Sequence, residues 1–439
     1  MNKESCIYHS GKKPGKIAIA TTKPCRTQKE LSLAYTPGVA TPCLEIQKNP
    51  EDVWKYTVKG NFVAVISDGT AVLGLGSIGP EAGMPVMEGK AVLFKRFADI
   101  DAVPICIGKV FDSNGKTDAA KVIETVERLE PPFGGINLED IASPACFEIE
   151  QTLKERLAIP VFHDDQHGTA IISTAAIINA LKLVGKKIDN TRFVISGAGA
   201  AGIACAEMYV TAGAARNNIL MCDAGGVIHS DRKDLTEEKA KFANETACRT
   251  LADAMKGADV FVGLSVGGCV TEDMISSMAE GSIVFPMANP TPEIMPDLAV
   301  KAGAEIVGTG RSDFVNQINN VLGFPGIFRG ALDVRASDIN EAMKLAASKA
   351  LAELAEEKVP EKIYEILADA YPEDAADGMF AEECPLKKSY VIPKPFDPRV
   401  VPRVARYVAE AAMKSGIAGK KIHNLDDSEI SVYERITVN

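Results

Sequence analysis

The segment TRFVISGAGAAGIACAEMYVTAG, residues 191–213, places a glycine-rich turn between a strand candidate and an apolar helix candidate. Its glycines have the spacing G-x-G-x-x-G. Such glycines let backbone amides approach a pyrophosphate, and the N-terminus of the following helix supplies positive potential. The segment therefore predicts a dinucleotide-binding turn, formed by Gly197, Ala198, Gly199, Ala200, Ala201 and Gly202.

An acidic residue follows this turn at the distance that dinucleotide sites require. Asp223 ends the next strand candidate, NILMCD, roughly 20 residues further on, where a carboxylate can bind the hydroxyls of the adenosine ribose. Arg232, Lys233, Lys239 and Lys241 lie close enough in sequence to neutralise a 2′-phosphate instead. Asp223 favours NAD, and the basic residues keep NADP as the alternative.

Strand and helix candidates alternate on both sides of this unit. Downstream and within it, the strand candidates are RFVISG, NILMCD, DVFVGLS, SIVFPM and AEIVGTG, separated by helical segments. Upstream from Asn61 they are NFVAVISDG, AVPICIG, GGINLED and PVFHDD. This alternation predicts an α/β fold with largely parallel sheets, of which the second is a doubly wound, Rossmann-type unit.

The order of these strand and helix candidates predicts three regions of the chain. Residues 1–160 form an N-terminal α/β substrate domain, residues 161–385 the Rossmann-type NAD(P)-binding domain, and residues 386–439 a C-terminal helix and arm. The break is placed between Pro160 and Gly168. The last residues, 419–439, resemble a peripheral arm with no assigned chemistry.

Composition narrows the class of protein. The chain has 439 residues, 46% of them hydrophobic, and a formal charge of −11, which argues against nucleic-acid binding. No apolar run reaches the roughly 18 residues needed to cross a bilayer, so we expect a soluble, cytoplasmic protein that binds no membrane. Ten cysteines without a C-x-x-C pair indicate a reducing compartment, and we expect most of them to be buried.

A second G-x-G-x-x-G pattern occurs at VLGLGSIGP, residues 72–80. It runs into Pro80 and EAGMP, for which we expect no regular helix, and no acid follows at the required distance. This copy is therefore expected to be a mobile lip over a ligand, able to contact the cofactor from the other side, and not the pyrophosphate-binding turn.

Paired acids follow two strand candidates of the first unit. Glu139 and Asp140 end GGINLED, and Asp164 and Asp165 end PVFHDD. Because the carboxyl ends of parallel strands meet at one edge, these acids can converge there, and clustered carboxylates require a divalent cation such as Mg²⁺ or Mn²⁺. We assign Asp165 to the metal and Asp164 to a supporting role.

Two alternatives to this metal site remain open. Asp164 and Asp165 could instead only stabilise the N-terminus of the following helix. The nearby His163 and His167 also allow a zinc site, although no third nitrogen or sulfur ligand stands at a recognisable spacing.

The chain resembles the malic enzymes, specifically the shorter prokaryotic type of NAD(P)-dependent, decarboxylating malate dehydrogenase. The matching segments are AYTPGVA (34–40), SDGTAVLGLGSIGP (67–80), EGKAVLFK (88–95), NLEDIA (137–142), PVFHDDQHGTA (160–170), GAGAAG (197–202), MANPTPE (287–293) and NQINNVLGFPGIFRGA (316–331). The resemblance implies oxidation of L-malate at C2 and loss of its C4 carboxylate as CO₂, which gives pyruvate and a reduced nicotinamide. It also implies a homodimer or a higher homo-oligomer, with the segment before Tyr35 as a candidate contact.

The resemblance implies a role for each of several residues. They are the metal ligands Glu139, Asp140 and Asp165, the general base and substrate contact Lys90, the proton donor Tyr35, the substrate and nicotinamide contact Asn289, and the substrate contact Asn320. The larger animal and plant enzymes carry an arginine that binds the malate carboxylate where this chain has Ala71, a small residue that shorter members share. How this chain neutralises that carboxylate is left open.

Lys90 and Tyr35 suit these roles chemically. Lys90 lies between Gly89 and the apolar run AVLF, so desolvation and a neighbouring metal are both expected to lower its pKa towards neutrality. A phenol such as Tyr35 can protonate an enol if an adjacent cation lowers its pKa. The alternatives are a surface lysine, a packed tyrosine and, for Asn289 and Asn320, residues of turns.

Two other functions share part of this pattern. A metal-dependent oxaloacetate decarboxylase would keep the acids and lose the use of nicotinamide, whereas a catalytically silent nucleotide-binding sensor would lose the tyrosine, the lysine or the acids. The intact GAGAAG turn with Asp223 argues against the first function, and the complete set of side chains argues against the second.

Overall fold

The computed structural model describes residues 3–72 and 74–437. Leu73, which belongs to the glycine-rich segment 72–80, lies outside the described residues, as do residues 1, 2, 438 and 439 of the terminal segments. The described chain forms two largely parallel sheets covered by helices.

The first sheet has four strands in the order β2-β1-β3-β4, all parallel. Its strands are β1 (Phe62–Ser67), β2 (Asp101–Cys106), β3 (Gly135–Leu138) and β4 (Val161–His163). The strands β1, β3 and β4 are almost wholly buried. This explains why they are apolar runs without polar alternation, as is usual where helices cover both faces of a sheet.

The second sheet has six strands in the order β10-β9-β8-β5-β6-β7. Its strands are β5 (Phe193–Ser196), β6 (Ile219–Asp223), β7 (Gly226–Val227), β8 (Val260–Gly263), β9 (Ile283–Pro286) and β10 (Ile306–Val307). Only β7 is antiparallel. Because β5 pairs with β6 on one side and with β8 on the other, the turn after β5 lies at the switch point where dinucleotides bind. The predicted α/β, Rossmann-type fold is confirmed.

Helices cover both sheets and form the C-terminal region. They are α1 (Lys3–His9), α2 (Gln28–Ala34), α3 (Ala40–Lys48), α4 (Val53–Tyr56), α5 (Pro80–Ala98), α6 (Ala119–Leu129), α7 (Ala145–Arg156), α8 (Asp164–Leu183), α9 (Ala200–Thr211), α10 (Glu237–Ala240), α11 (Leu251–Met255), α12 (Glu272–Ser276), α13 (Pro296–Lys301), α14 (Phe324–Asp333), α15 (Glu341–Leu354), α16 (Glu361–Ala370), α17 (Pro372–Ala376), α18 (Val400–Lys414) and α19 (Leu425–Thr437). Short 3₁₀ turns occur at Pro50–Asp52, Val58–Asn61, Ile188–Asn190, Arg216–Asn218 and Asn320–Leu322.

The long helix α8 connects the two sheets. It begins directly after β4 with the acids Asp164 and Asp165, and most of its residues are buried. One hydrophobic core joins it to Phe162 of β4 and Phe193 of β5. The strand β4, which starts after the predicted boundary at residue 160, pairs with β3 of the first sheet. The chain therefore changes sheets along α8 and not before β4.

One local expectation is wrong. The segment after the first glycine pattern is the regular helix α5, which starts at Pro80 because proline is well suited to the first turn of a helix. The departure arises because tertiary packing stabilises a helix whose sequence signal is weak. In the C-terminal segment, α19 buries Val432 and Ile436 against the core.

Two further expectations concern membrane-spanning segments and the burial of the cysteines. Among the residues that the structure describes, no helix combines the length and apolarity that crossing a bilayer requires. All ten cysteines are free. Burial holds for Cys146, Cys205 and Cys222, but it is wrong for the exposed residues Cys6, Cys25, Cys43 and Cys384.

Candidate active site

Three carboxylates meet where β3 and β4 end. Glu139 and Asp140 follow β3, and Asp165 lies in the first turn of α8, directly after β4. One oxygen from each carboxylate lies within 4.8 Å of the others, and the backbone N–H of Asp140 donates to Oδ2 of Asp165 at 2.8 Å. Parallel pairing of β3 with β4 thus brings together residues that are 25 positions apart.

The acids fit a hard divalent cation. Burial raises the pKa of Glu139 well above its usual range, and the carboxylates of Asp165, Asp164 and Asp140 raise it further, whereas Lys90 lowers it. An all-oxygen donor set with this excess of negative charge suits Mg²⁺ or Mn²⁺. Within the described part of the chain, this acidic group includes neither His163 nor His167, which gives no support to zinc.

Lys90 projects from α5 into the same cluster. Its Nζ lies 2.7 Å from Oε1 of Glu139, 2.6 Å from Oδ2 of Asp164, and 4.4 Å above the ring of Phe324. Burial lowers the pKa of Lys90, but the carboxylates of Asp164 and Glu139 outweigh it and raise the pKa above the usual value. The expected lowering of the pKa rested on a bound cation as well as on burial, and the two carboxylate partners, which the sequence does not reveal, act in the opposite direction.

Asp164 connects Lys90 to Asn320. Its carboxylate is fully buried, and Nδ2 of Asn320 donates to Oδ2 at 3.3 Å and to the backbone carbonyl at 3.4 Å. A Cβ at Gly168 would lie 2.2 Å from Oδ1 of Asp164 and 2.8 Å from the Asn320 amide, so only glycine fits there. Asp164 thus holds the lysine and the asparagine and does not belong to the three-acid cluster.

The two histidines near the start of α8 both contact Glu150. Nε2 of His167 lies 2.9 Å from Glu150, and its Nδ1 lies 3.1 Å from Nζ of Lys344. Glu150 also accepts the backbone N–H of His163 at 3.1 Å. Burial raises the pKa of Glu150, but His167 and Lys344 outweigh it, and the pKa falls to about 2. Sequence reasoning missed Glu150 and Lys344, which carry no spacing signal.

The glycine turn opens onto a cavity of about 670 Å³ that Gly197, Gly199 and Asp223 line. Gly197 has φ +111°, and a Cβ there would lie 2.3 Å from the carbonyl oxygen of Leu264. A Cβ at Gly199 would meet no atom within 4 Å, which leaves the turn open to a ligand. The turn and helix α9 thus have the arrangement that binds a pyrophosphate.

Two basic side chains bind Asp223. Arg232 and Lys239 each approach its carboxylate to 2.6 Å. Burial raises the pKa of Asp223, but the hydrogen bonds from Arg232 and Lys239 outweigh it and lower the pKa to about 2. The other two basic candidates, Lys233 and Lys241, show no described contact with Asp223.

Two predicted residues lie apart from the lysine and the acids. Tyr35 follows α2 with 70% of its side chain exposed, and no described contact joins it to Lys90. Asn289 is exposed after β9. A Cβ at Gly74 would lie 2.9 Å from the carbonyl oxygen of Asn289, so the first glycine segment faces this residue.

Two family sequence models match consecutive regions of the chain. The one for the malic enzyme N-terminal domain matches residues 14–154, and the one for the malic enzyme NAD binding domain matches residues 166–371. The NADP-dependent malic enzyme of Halomonas elongata is 52% identical over 94% of this chain and 93% of its own length. The NAD-dependent malic enzyme of Rhizobium meliloti is 49% identical over 97% of this chain and 53% of its own length.

A solved structure agrees with these sequence matches. The malic enzyme from Pyrococcus horikoshii superposes with a TM-score of 0.87 and 44% identity, covering 100% of this chain and 96% of that one. The chain spans about half the length, 54%, of several other curated relatives that it matches. By its fold, by both domain models and by relatives matched over almost their whole length, this chain belongs to the malic enzyme family.

Proposed function

We propose that this protein oxidises and decarboxylates L-malate to pyruvate and CO₂, reduces NAD(P)⁺, and requires Mg²⁺ or Mn²⁺. The observation that carries the proposal is the position of Lys90. Its Nζ lies 2.7 Å from Glu139 of the three-acid cluster and 2.6 Å from Asp164. A proton-transferring amine, a cation-binding set of oxygens and a dinucleotide turn are what this reaction needs in one chain.

A divalent cation held by Glu139, Asp140 and Asp165 would supply positive charge to the substrate oxygen on which negative charge develops. Lys90 is the proposed acceptor of the C2 hydroxyl proton in its neutral form, which a cation bound to Glu139 would favour by opposing the carboxylates that raise the lysine pKa, and Asp164 holds its Nζ in place. Asn320, which donates to Asp164, is the proposed second contact of the substrate. One proton leaves the hydroxyl, one is added at C3, and a hydride passes to the nicotinamide, so no net proton is consumed.

Steady-state kinetics with L-malate test the proposal directly. We expect pyruvate and reduced coenzyme in equal amounts, and only when Mn²⁺ is present. Decarboxylation of oxaloacetate without any reduction of coenzyme from malate would favour the decarboxylase. Coenzyme binding without turnover of either acid would favour the nucleotide sensor.

The choice of coenzyme depends on the surroundings of Asp223. A free carboxylate would favour the ribose hydroxyls of NAD, which is the expectation from the sequence. Here the carboxylate is bound by Arg232 and Lys239; Arg232 also pairs with Asp234 at 2.6 Å, whereas the described contacts of Lys239 include no second acid. We propose that the site accepts NADP as well as NAD, and that Lys239 contributes most to the affinity for the 2′-phosphate.

Replacing Lys239 by alanine is expected to raise KM for NADP by about tenfold or more, with little effect on KM for NAD. The reason is that a charge-assisted hydrogen bond to the phosphate is lost. Paired kinetics with both coenzymes measure the ratio, and Lys233→Ala, at an exposed lysine, is the matched control. An equal change for both coenzymes would show that Lys239 does not discriminate between them.

The N-terminal segment supports the proposed homodimer. The helices α1, α2 and α3 contain no buried residue, and Ile7, Ile19, Leu33 and Leu44 are all more than half exposed. So much apolar surface in one segment is typical of an interface. We propose that a second copy of the chain covers this segment, including the exposed Tyr35.

Tyr35→Phe is expected to slow pyruvate formation by about a hundredfold or more, while hydride transfer is less affected. The phenol is the proposed proton donor to C3, so its loss acts after oxidation. Single-turnover measurements of reduced coenzyme and of pyruvate separate the two steps. Tyr8→Phe is the control, because Tyr8 is as exposed as Tyr35, at 70%. An unchanged rate of pyruvate formation in Tyr35→Phe would remove the tyrosine from this role.

A further inference from the structure

Glu293 is a fully buried carboxylate that the roles proposed above do not use. Its Oε1 accepts hydrogen bonds from the backbone N–H of Ser265 at 2.7 Å and from the Ser265 hydroxyl at 3.3 Å. Its Oε2 accepts the backbone N–H of Ala288 at 3.1 Å. The side chain therefore connects the loops that follow β8 and β9, two neighbouring strands of the second sheet.

The carboxylate of Glu293 packs closely against Gly263, the last residue of β8. A Cβ at Gly263 would lie 2.4 Å from Oε2 of Glu293, so no larger residue fits there without moving it. The backbone continues the connection, since Gly268 donates to the carbonyl of Pro292 and Val270 to that of Glu293, both at 3.0 Å. The two loops are thus joined by one side chain and by main-chain hydrogen bonds.

Both loops reach the dinucleotide site. Oγ of Ser265 lies 2.9 Å from Oγ of Ser196, the last residue of β5, and Ser265 lines the same cavity as Gly197. Ala288 directly precedes Asn289, a predicted contact of the nicotinamide. Asp223, at the adenosine end, lies on the opposite side of β5. The loops that Glu293 holds are therefore on the nicotinamide side.

The contacts require two acceptor oxygens. Burial raises the pKa of Glu293, whereas the N–H groups of Ser265 and Ala288 favour its ionised form. An amide in this place would direct its NH₂ group towards one of the two N–H donors. A Glu293→Gln variant would thus keep the size of the side chain and lose one of the two connections.

We propose that Glu293 is a positioning residue for the nicotinamide half of the coenzyme. It fixes the loop after β8 and Asn289 relative to each other, so that the ring meets a preformed crevice. This inference rests on the proposed use of NAD(P) by the chain.

The test measures binding of NADPH, of ADP and of Mn²⁺ by isothermal titration calorimetry to the full chain carrying Glu293→Gln. We expect the Kd for NADPH to rise by about tenfold or more, while the Kd values for ADP, which occupies the adenosine half, and for Mn²⁺ stay as in the wild type. The control is Glu280→Gln, at an exposed glutamate, which should change none of the three.

Unchanged NADPH binding, or an equal loss of ADP binding, would overturn the inference, because the second result indicates a merely structural role. If Glu293→Gln does not fold, Glu293→Asp decides. It keeps the charge but is shorter by one methylene, so it can hold only one loop and should weaken NADPH binding alone. Failure of the proposed function would appear separately, as wild-type protein that binds coenzyme but does not turn malate over.

Discussion

We expect that replacing Lys90 by methionine abolishes malate oxidation and lowers kcat at least about a thousandfold. The variant keeps the apolar stem of the side chain and removes the amine, which is the proposed base and lies 4.4 Å above the ring of Phe324. Affinity for Mn²⁺ should not fall, because a positive charge 2.7 Å from Glu139 is removed from beside the metal cluster. Steady-state kinetics and a Mn²⁺ titration measure the two effects.

Lys95→Met is the matched control for this experiment. Lys95 lies on the same helix α5, but its side chain is 55% exposed. It pairs with Asp99 and Asp101 and not with the carboxylates that bind Lys90. Its removal should leave turnover unchanged, since surface ion pairs contribute little to stability. Normal turnover in Lys90→Met would exclude the lysine as the base.

The second largest effect is expected for Asp165→Asn, which should lower the affinity for Mn²⁺ at least about a hundredfold. Loss of outer partners of metal ligands already costs roughly 10- to 100-fold, and a charged ligand should cost no less. The amide oxygen can still accept the N–H of Asp140, so the local fold is kept. Saturating Mn²⁺ should restore part of the activity.

Asp164→Asn separates the two neighbouring acids. Asp164 contacts Lys90 and Asn320 and lies outside the three-acid cluster, so this variant should lower kcat while Mn²⁺ affinity stays near that of the wild type. The reverse pattern, with an unaltered titration in Asp165→Asn and a weakened one in Asp164→Asn, would exchange their roles.

Local spacing was sufficient to predict the second sheet. A strand, a glycine turn and an apolar helix are contiguous over 191–213, so their physics is contained in one short segment. The convergence of the acids that follow β3 and β4 was also predictable, because the ends of parallel strands meet at one edge, but spacing alone did not distinguish Asp165 from Asp164. These predictions depend on local conformation and on sheet topology alone.

Contacts between distant elements were not predictable in this way. The raised pKa of Lys90 depends on Asp164, which lies 74 positions away, and the surroundings of His167 depend on Lys344, 177 positions away. Glu293 gave no signal, since a lone glutamate after a proline-rich turn is ordinarily exposed. Each of these depends on packing that a linear pattern does not encode.

The helix α8 limits which parts of the chain can change in evolution without moving the acids relative to the glycine turn. It carries Asp164 and Asp165 at one end, and along its length it packs against α9, which begins at the glycine turn, with Ser173 and Tyr209 joined at 2.8 Å between them. This pair of packed helices sets the distance between the three-acid cluster and the glycine turn. Surface loops can therefore change in length without altering the distance between these two places.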